Sequence, residues 1–286
     1  MLDVRTEQLQ EELAGIDALE LADRTRVSRA HRLWSATWPK IGAVFIALGI
    51  WQLVVWSGWK PEYVIPPPKV VFQELWDMIS SGKLLPALQL TMTRAVQGYL
   101  IALVIGGLAG VLVSRSAIVR SAFGSFITGL QTMPSIVWFP FALIVFKKSE
   151  AAIMFVVVLG AAPSIANGII SGIDQVPPLY ERAGRVLGAG RLDMFRYVIF
   201  PAALPNVIGG LKQGWAFAWR SLMAGELLVI VGGHQSVGVI MQNARDVNDM
   251  PAVMASMIVI LVIGIVVDAV FFAGIDRRIR RRRGLL

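Results

Sequence analysis

Arg220 lies inside an otherwise apolar run near residues 207–231, and a guanidinium in that position has two plausible uses. About thirteen residues of helix, roughly 20 Å, separate it from the start of the run, which puts it near the middle of a bilayer if the run spans one. A cation there costs at least about 2.5–3.5 kcal/mol on insertion scales and must face protein or water. It could line the route of an anionic substrate, or it could close an interhelical ion pair, with Asp268 as a candidate partner. Its own helix offers no carboxylate, because Glu226 is six residues on and off its face; Gln213, seven residues back, shares its stripe. Trp215, Phe217 and Trp219 surround it in sequence, either as ligand contacts or as packing aromatics. Glu226, farther along the run, reads as an acceptor for backbone donors or partner groups, or as a structural acid.

Other chemistry has no motif to stand on. No G-x-x-x-x-G-K-[ST] loop occurs, so the chain does not itself cradle ATP phosphates in that manner. H-E-x-x-H and G-x-S-x-G are absent as well. With Cys 0, disulfides and thiolate metal sites are excluded, and His31 and His234 lie too far apart for a helical metal pair. A membrane-embedded enzyme would gather titratable groups at one depth, whereas the charges here are sparse and scattered.

The elements that hold these residues are membrane helices. A chain of 286 residues with 56% hydrophobic composition and mean hydropathy +0.64 has more apolar surface than a soluble core would bury. Six hydrophobic runs, near 41–58, 88–113, 123–146, 151–173, 207–231 and 251–274, are each about long enough to cross the roughly 30 Å hydrocarbon layer. Residues 1–40 read as a cytoplasmic tail with Leu9, Leu13 and Ile16 at helical spacing, an amphipathic helix rather than a signal peptide. Residues 41–274 form the membrane domain, and 275–286 a basic tail. Placing both termini and the 174–206 loop inside puts Arg115, Arg120, Arg182, Arg185, Arg191, Arg196 and the cluster Arg277–Arg283 on the cytoplasmic side. In a chain of formal charge +8, the basic C-terminal cluster thus reads as a topogenic anchor against anionic lipid, with nucleic-acid binding a remote alternative. Outside, Ile65-Pro66-Pro67-Pro68 predicts an extended wall followed by a short amphipathic helix. His234 falls in an external, solvated turn. Pro134, Pro140 and Pro163 remove helical hydrogen bonds, as kinks beside a pathway or as packing kinks.

Glu181–Pro205 is polar and basic, yet it lies between two strongly hydrophobic runs. The spacing predicts a short helix ending at Gly188, a break over Gly188, Ala189 and Gly190, and a second helical stretch that stops at Pro201 and Pro205. This segment resembles the cytoplasmic coupling loop of ABC importer permeases. Ala183, Gly184, Gly188 and Pro201 occupy the places of that loop's small pair, glycine and proline, while Arg182 stands where an acid usually precedes the pair and Glu181 is displaced by one. The likeness extends over roughly residues 60–280 to the nitrate, sulfonate and taurine class. It rests on Thr91 and Arg94, on QTMPSIVWFPFALIVF with Pro134 and Pro140, and on Pro163 and Asn167. FPAALP with Gly210 and Leu211, then Ala224, Gly225 and Glu226, complete it. One departure concerns shape: Lys147-Lys148-Ser149 stands before Glu150 in place of a Gly-x-Gly turn.

The resemblance implies an all-α membrane protein of six transmembrane helices, like a type I ABC importer permease with cytoplasmic coupling helices. It implies the inner membrane, a second copy of the chain, two cytoplasmic ATPase subunits and an external solute-binding protein. No cofactor belongs to this chain, and ATP and Mg belong to the partner ATPase. The cargo implied is a small anion of sulfonate, taurine, nitrate or bicarbonate type, carried by alternating access. Glu181, Ala183, Gly184, Arg185, Gly188 and Ala189 are then the coupling residues, and Arg220, Gln213, Trp219, Glu226, Asn167 and Pro134 line the pathway. The rival is a stand-alone secondary transporter or channel, needing no ATPase; the absence of a visible internal repeat counts against the inverted-repeat kind.

Overall fold

The computed structural model describes residues 29–233, 235–275 and 278, which fall into two units divided after Pro61. The expected tail helix at Leu9–Ile16, His234 and nearly all of the basic C-terminal cluster lie outside the described residues. In the first unit, helix α1 (Arg29–Trp56) begins well before the expected residue 41, and its part Thr37–Trp56 is apolar enough to cross a membrane.

The second unit opens with the proline wall. Pro67 is extended (φ −66°, ψ 151°), and Pro68 opens helix α2 (Pro68–Ser80), where a proline's missing N–H costs nothing. The long helix α3 (Leu84–Arg115) is followed by α4 (Ala117–Thr132), capped by Ser116 Oγ, which accepts from Val119 N at 3.3 Å. Beyond α4 the chain passes Pro134 and a 3₁₀ turn, Ser135–Trp138, into the short α5 (Phe139–Phe146). Helix α6 (Glu150–Asp174) carries Pro163 in its interior. The 174–206 loop holds α7 (Pro178–Val186) and a one-turn α8 (Arg191–Asp193), which continues through a π-helical segment, Met194–Ile199, into α9 (Phe200–Leu228). Then come α10 (Val237–Asp246) and α11 (Met250–Val267).

Among the described residues five helical stretches are long and apolar enough to cross a membrane: 37–56, 84–115, 150–174, 191–228 and 250–275. The sixth expected span is no single helix. Its two pieces, 117–132 and 135–146, are bent by 100° at the break. Met133 and Pro134 are extended there, and Pro134 cannot donate the hydrogen bond that would carry α4 onward. Pro140, expected to kink the span, instead lies in the first turn of α5, where no hydrogen bond is lost.

A second expectation also fails. The arm after Gly190 does not stop at Pro201 and Pro205 but runs through both to Leu228. The π-helical segment just ahead of Pro201 widens the helix where a proline ring would otherwise press on the preceding turn.

Helix α6 is held between α3 and α9 at glycine-width spacing. Gly98, Ala102, Gly106 and Gly110 recur every four residues on α3, and all are buried. A Cβ on Gly106 would come within 2.4 Å of the Ala162 carbonyl oxygen; on α6's other side, one on Gly168 would come within 2.3 Å of the Gly210 Cα. Small residues let backbones approach this closely, and packing of that kind, rather than hydrophobicity, drives helix association in lipid. Ile153, Val156, Val157 and Ile165 are fully buried in the resulting core.

Candidate functional site

Gly188 takes φ +80°, the left-handed conformation that ends a helix. The Ala189 N–H donates to the Gly184 carbonyl and the Gly188 N–H to the Arg185 carbonyl, both at 3.0 Å, closing α7 as a Schellman motif. Gly184 does not face outward as expected for a docking residue. It is buried, and a Cβ there would lie 2.7 Å from Met194 Cε, so its smallness serves the packing of α7 against the segment that follows. Ala183, Arg185 and Gly188 are exposed, Ala189 is half-buried, and Glu181 accepts from Arg185 at 3.4 Å one turn on. Around them the loop shows Val186 (88% exposed), Leu187 (86%) and Leu192 (75%), an apolar tip that no described residue covers.

Two clefts among the membrane helices have polar side chains in their lining. One, of about 540 Å³, is lined by Thr128, Gln131, Asn167, Gln175, Asn206 and Gln213. Neutral amides dominate it: Asn206 Nδ2 donates to Gln175 Oε1 at 2.8 Å, and Asn167 Nδ2 donates to Gln131 Oε1. The other, of about 380 Å³, is lined by Gln131, Pro134, Ser135, Phe217 and Arg220, among others. Its wall is the α4–α5 break itself, tied to α9 by a 2.7 Å hydrogen bond between the Ser135 and Ser221 hydroxyls. Arg220 is exposed and sits over the Phe217 ring, 5.0 Å from its centroid. Its Nε donates to the Ala216 carbonyl at 3.3 Å, and among the described residues the terminal guanidinium nitrogens have no partner. No acidic residue lines either cleft.

The partner expected for Arg220, Asp268, pairs instead with Lys212 at 2.8 Å, and among the described residues Arg220 forms no ion pair. The expected aromatic surround reduces to Phe217. Trp215 packs edge-on against Tyr99, 5.3 Å between centroids, and Trp219 lines a separate apolar groove with Met223, Met257 and Leu261. Successive helical positions point about 100° apart, so Trp219 and Arg220 face different neighbours.

Glu226 also leaves the pathway set. It is fully buried and accepts from Thr91 Oγ1 at 3.0 Å, Arg94 Nη1 at 3.1 Å and the Gly238 N–H at 3.1 Å. Arg94 turns its other face to Glu150, with Nε donating to Oε2 at 2.8 Å. Thr91 Oγ1 in turn accepts from the Val237 N–H at 3.0 Å. This cluster joins α3, the start of α6, the end of α9 and the start of α10. Thr91, Arg94 and Glu226 were visible in the sequence only as separate matches; nothing in their spacing shows that they meet. Gln131 was missed altogether, its one signal being its place three residues before Pro134.

Residues 84–281 match the family described as binding-protein-dependent transport system inner membrane component. The chain belongs to this family. It is 30% identical over 240 residues to the nitrate import permease protein NrtB of Leptolyngbya laminosa, covering 81% of this chain and 84% of that protein. It is 27% identical to the putative aliphatic sulfonates transport permease protein SsuC of Bacillus subtilis (83% and 85% covered) and to the bicarbonate transport system permease protein CmpB of Synechococcus elongatus (81% and 85%). The fold is shared with a chain of the MetNI methionine ABC transporter, at TM-score 0.56 and 19% identity, over 75% of this chain and 98% of that one. As an inner membrane component of this family, the chain is the permease subunit of an ABC importer, and ATP hydrolysis is the work of a separate ATPase subunit. The stand-alone transporter or channel reading is thereby set aside.

Proposed function

We propose that this binding-protein-dependent permease carries a small oxyanion, of the nitrate, sulfonate or bicarbonate kind named for its relatives, and that it does so as a pair of identical subunits. The observation that carries this reading is Arg220: a guanidinium with free terminal nitrogens in a cleft whose remaining polar lining is neutral. A planar cation with paired donors suits a carboxylate, sulfonate or nitrate oxygen set. A cleft in which the one charged lining residue is an arginine attracts anions and repels cations. The exposed apolar tip around Leu187 is then the docking surface for the ATPase, which binds ATP and Mg while this chain holds neither. ATP-driven closure of two such partners moves α7, and through Gly184 and Met194 the base of α9, which reorients the clefts between inside and outside. Both termini and the 174–206 loop lie in the cytoplasm in this scheme, as the Lys and Arg distribution favours.

The test is Arg220→Gln in the complete importer, reconstituted with its ATPase and binding protein, with uptake of nitrate, bicarbonate and ethanesulfonate measured. The variant should assemble, melt as the parent does and hydrolyse ATP, yet take up the transported anion at least tenfold more slowly. Unchanged uptake by a stable variant would remove Arg220 from the pathway and the anion reading with it.

A further inference from the structure

Gln131 is the one side chain that lines both clefts, and its partner Asn167 lines the amide-rich one. The hydrogen bond from Asn167 Nδ2 to Gln131 Oε1 therefore crosses the place where the clefts meet. Three features make this contact movable. Gln131 is the penultimate residue of α4, directly before the 100° break. Asn167 lies on α6, four residues after Pro163, in a helix locked into the α3–α6–α9 core. The far side of the break is fastened to α9 at Ser135–Ser221, next to Arg220, and a Cβ on Gly160 of α6 would lie 2.2 Å from Ser221 Oγ. A change in the angle of the elbow thus separates Gln131 from a rigid partner, while the Ser135 contact keeps the elbow in register with α9.

We propose that the Gln131–Asn167 pair is a latch between the Arg220 cleft and the amide-lined cleft, opened by a hydrogen-bond-accepting anion in transit. The inference rests on the anion-pathway reading above. An anion leaving Arg220 offers acceptor oxygens, so it can take over the Asn167 N–H from Gln131 and leave no donor unpaired. Gln131, released, turns its own amide N–H toward the same anion. A cation cannot make this exchange, because it has no acceptor to offer. The latch admits its cargo by substituting one hydrogen bond for another, which keeps the barrier low for acceptors and high for everything else.

The chain's lack of cysteine gives a clean background for the test. Single cysteines replace Ile136, in the Arg220 cleft, or Ser171, in the amide-lined cleft; both positions are exposed. The complete complex in inverted membrane vesicles is treated with a small anionic thiosulfonate from the cytoplasmic side. Gln131→Leu, which keeps bulk but loses the hydrogen bond, should speed modification at Ile136→Cys about tenfold and leave Ser171→Cys unchanged. Asn167→Ala should do the same and serves as the second variant, with ATPase activity confirming that each complex is assembled. Equal rates at Ile136→Cys with and without the latch overturn the proposal. Adding Arg220→Gln separates the two readings. If it abolishes the preference of Ile136→Cys for an anionic over a cationic reagent while Gln131→Leu has no effect, the pathway stands and the latch falls; if no anion preference exists at all, the pathway reading falls first.

Discussion

Gly238 donates its backbone N–H to Glu226 Oε2 at 3.1 Å, and it lies so close that a Cβ added there would stand 2.4 Å from the Glu226 Cβ. The glycine is what lets the start of α10 reach a carboxylate buried at the end of α9. Thr91 and Arg94 reach the same carboxylate from α3.

Glu226→Ala should therefore be among the most damaging single changes in the chain. It removes three hydrogen bonds and leaves Arg94, itself only 3% exposed, with Glu150 as its sole acid. Breaking a buried pair by removing one partner costs about 3–5 kcal/mol. Gly238→Ala should destabilise by a different route, since the atom it meets is a Cβ that no side-chain rotation can move. Thermal melting of the detergent-solubilised permease checks both, with Thr91→Val, which loses the hydrogen bond to Glu226 and the one from the Val237 N–H but leaves the ion pair in place, expected to fall between them and the parent. A Glu226→Ala variant melting like the parent would mean the cluster contributes nothing to the fold.

At the loop tip, backbone strain and docking must be told apart. Gly188 sits in open space at φ +80°, so any substitution there strains the backbone before it touches a partner. Replacement by alanine should cost roughly 1 kcal/mol, and asparagine, which tolerates the left-handed region, less. Leu187→Asp carries no such strain, because Leu187, the C-cap of α7, is 86% exposed and has an ordinary negative φ of −77°. It should abolish co-purification of the ATPase subunit without lowering the melting temperature. Retention of the ATPase by Leu187→Asp would place the docking surface elsewhere.

Orientation is open to cysteine labelling. Ser236 appears external by sequence but is a poor reporter: it is fully buried and its hydroxyl accepts from the Val239 N–H. Gln235 and Ser81 are exposed, as is Ala117 at the start of α4. Cysteines at Ser81 and Gln235 should react with an impermeant reagent added to intact cells, and one at Ala117 should not. The opposite pattern would invert the topology and carry the coupling loop to the wrong side.

What the sequence revealed and what it hid follow from the range of each signal. Apolar runs and basic loops are local and cumulative, so α3, α6, α9 and α11 were legible, as was a short helix after the proline wall, although Pro68, read as the end of that wall, opens the helix. Pro201 and Pro205 misled because a proline's effect depends on the turn before it, and the π-helical segment at Met194–Ile199 has no local sequence mark. The partner of a charge was less legible still. Asp268 was a candidate partner for Arg220, but Lys212, about two turns earlier on the same helix, takes it, and Arg94 found Glu226 132 residues away. Gly98, Ala102, Gly106 and Gly110 could have been read from their four-residue spacing as the face that α6 covers.

Lys147 offers the last prediction. In Lys147-Lys148-Ser149, Lys147 adopts φ 58° and ψ −161°, a conformation that glycine enters freely and other residues rarely. The turn between α5 and α6 thus holds a lysine in a glycine-like backbone conformation, at a cost of about 1–3 kcal/mol. Both Lys147 and Lys148 are exposed, so no packing offsets that strain. Lys147→Gly should raise the melting temperature, despite the extra chain entropy of glycine in the unfolded state, because relief of strain outweighs a loss of roughly 0.4–1 kcal/mol. Lys148→Gly, one residue on, lacks the strain and should lower it slightly. A binding-protein-stimulated ATPase measurement on Lys147→Gly then shows whether the lysine was kept for its charge at the outer surface: stability should rise while stimulation falls, and if both rise together the charge has no part in docking.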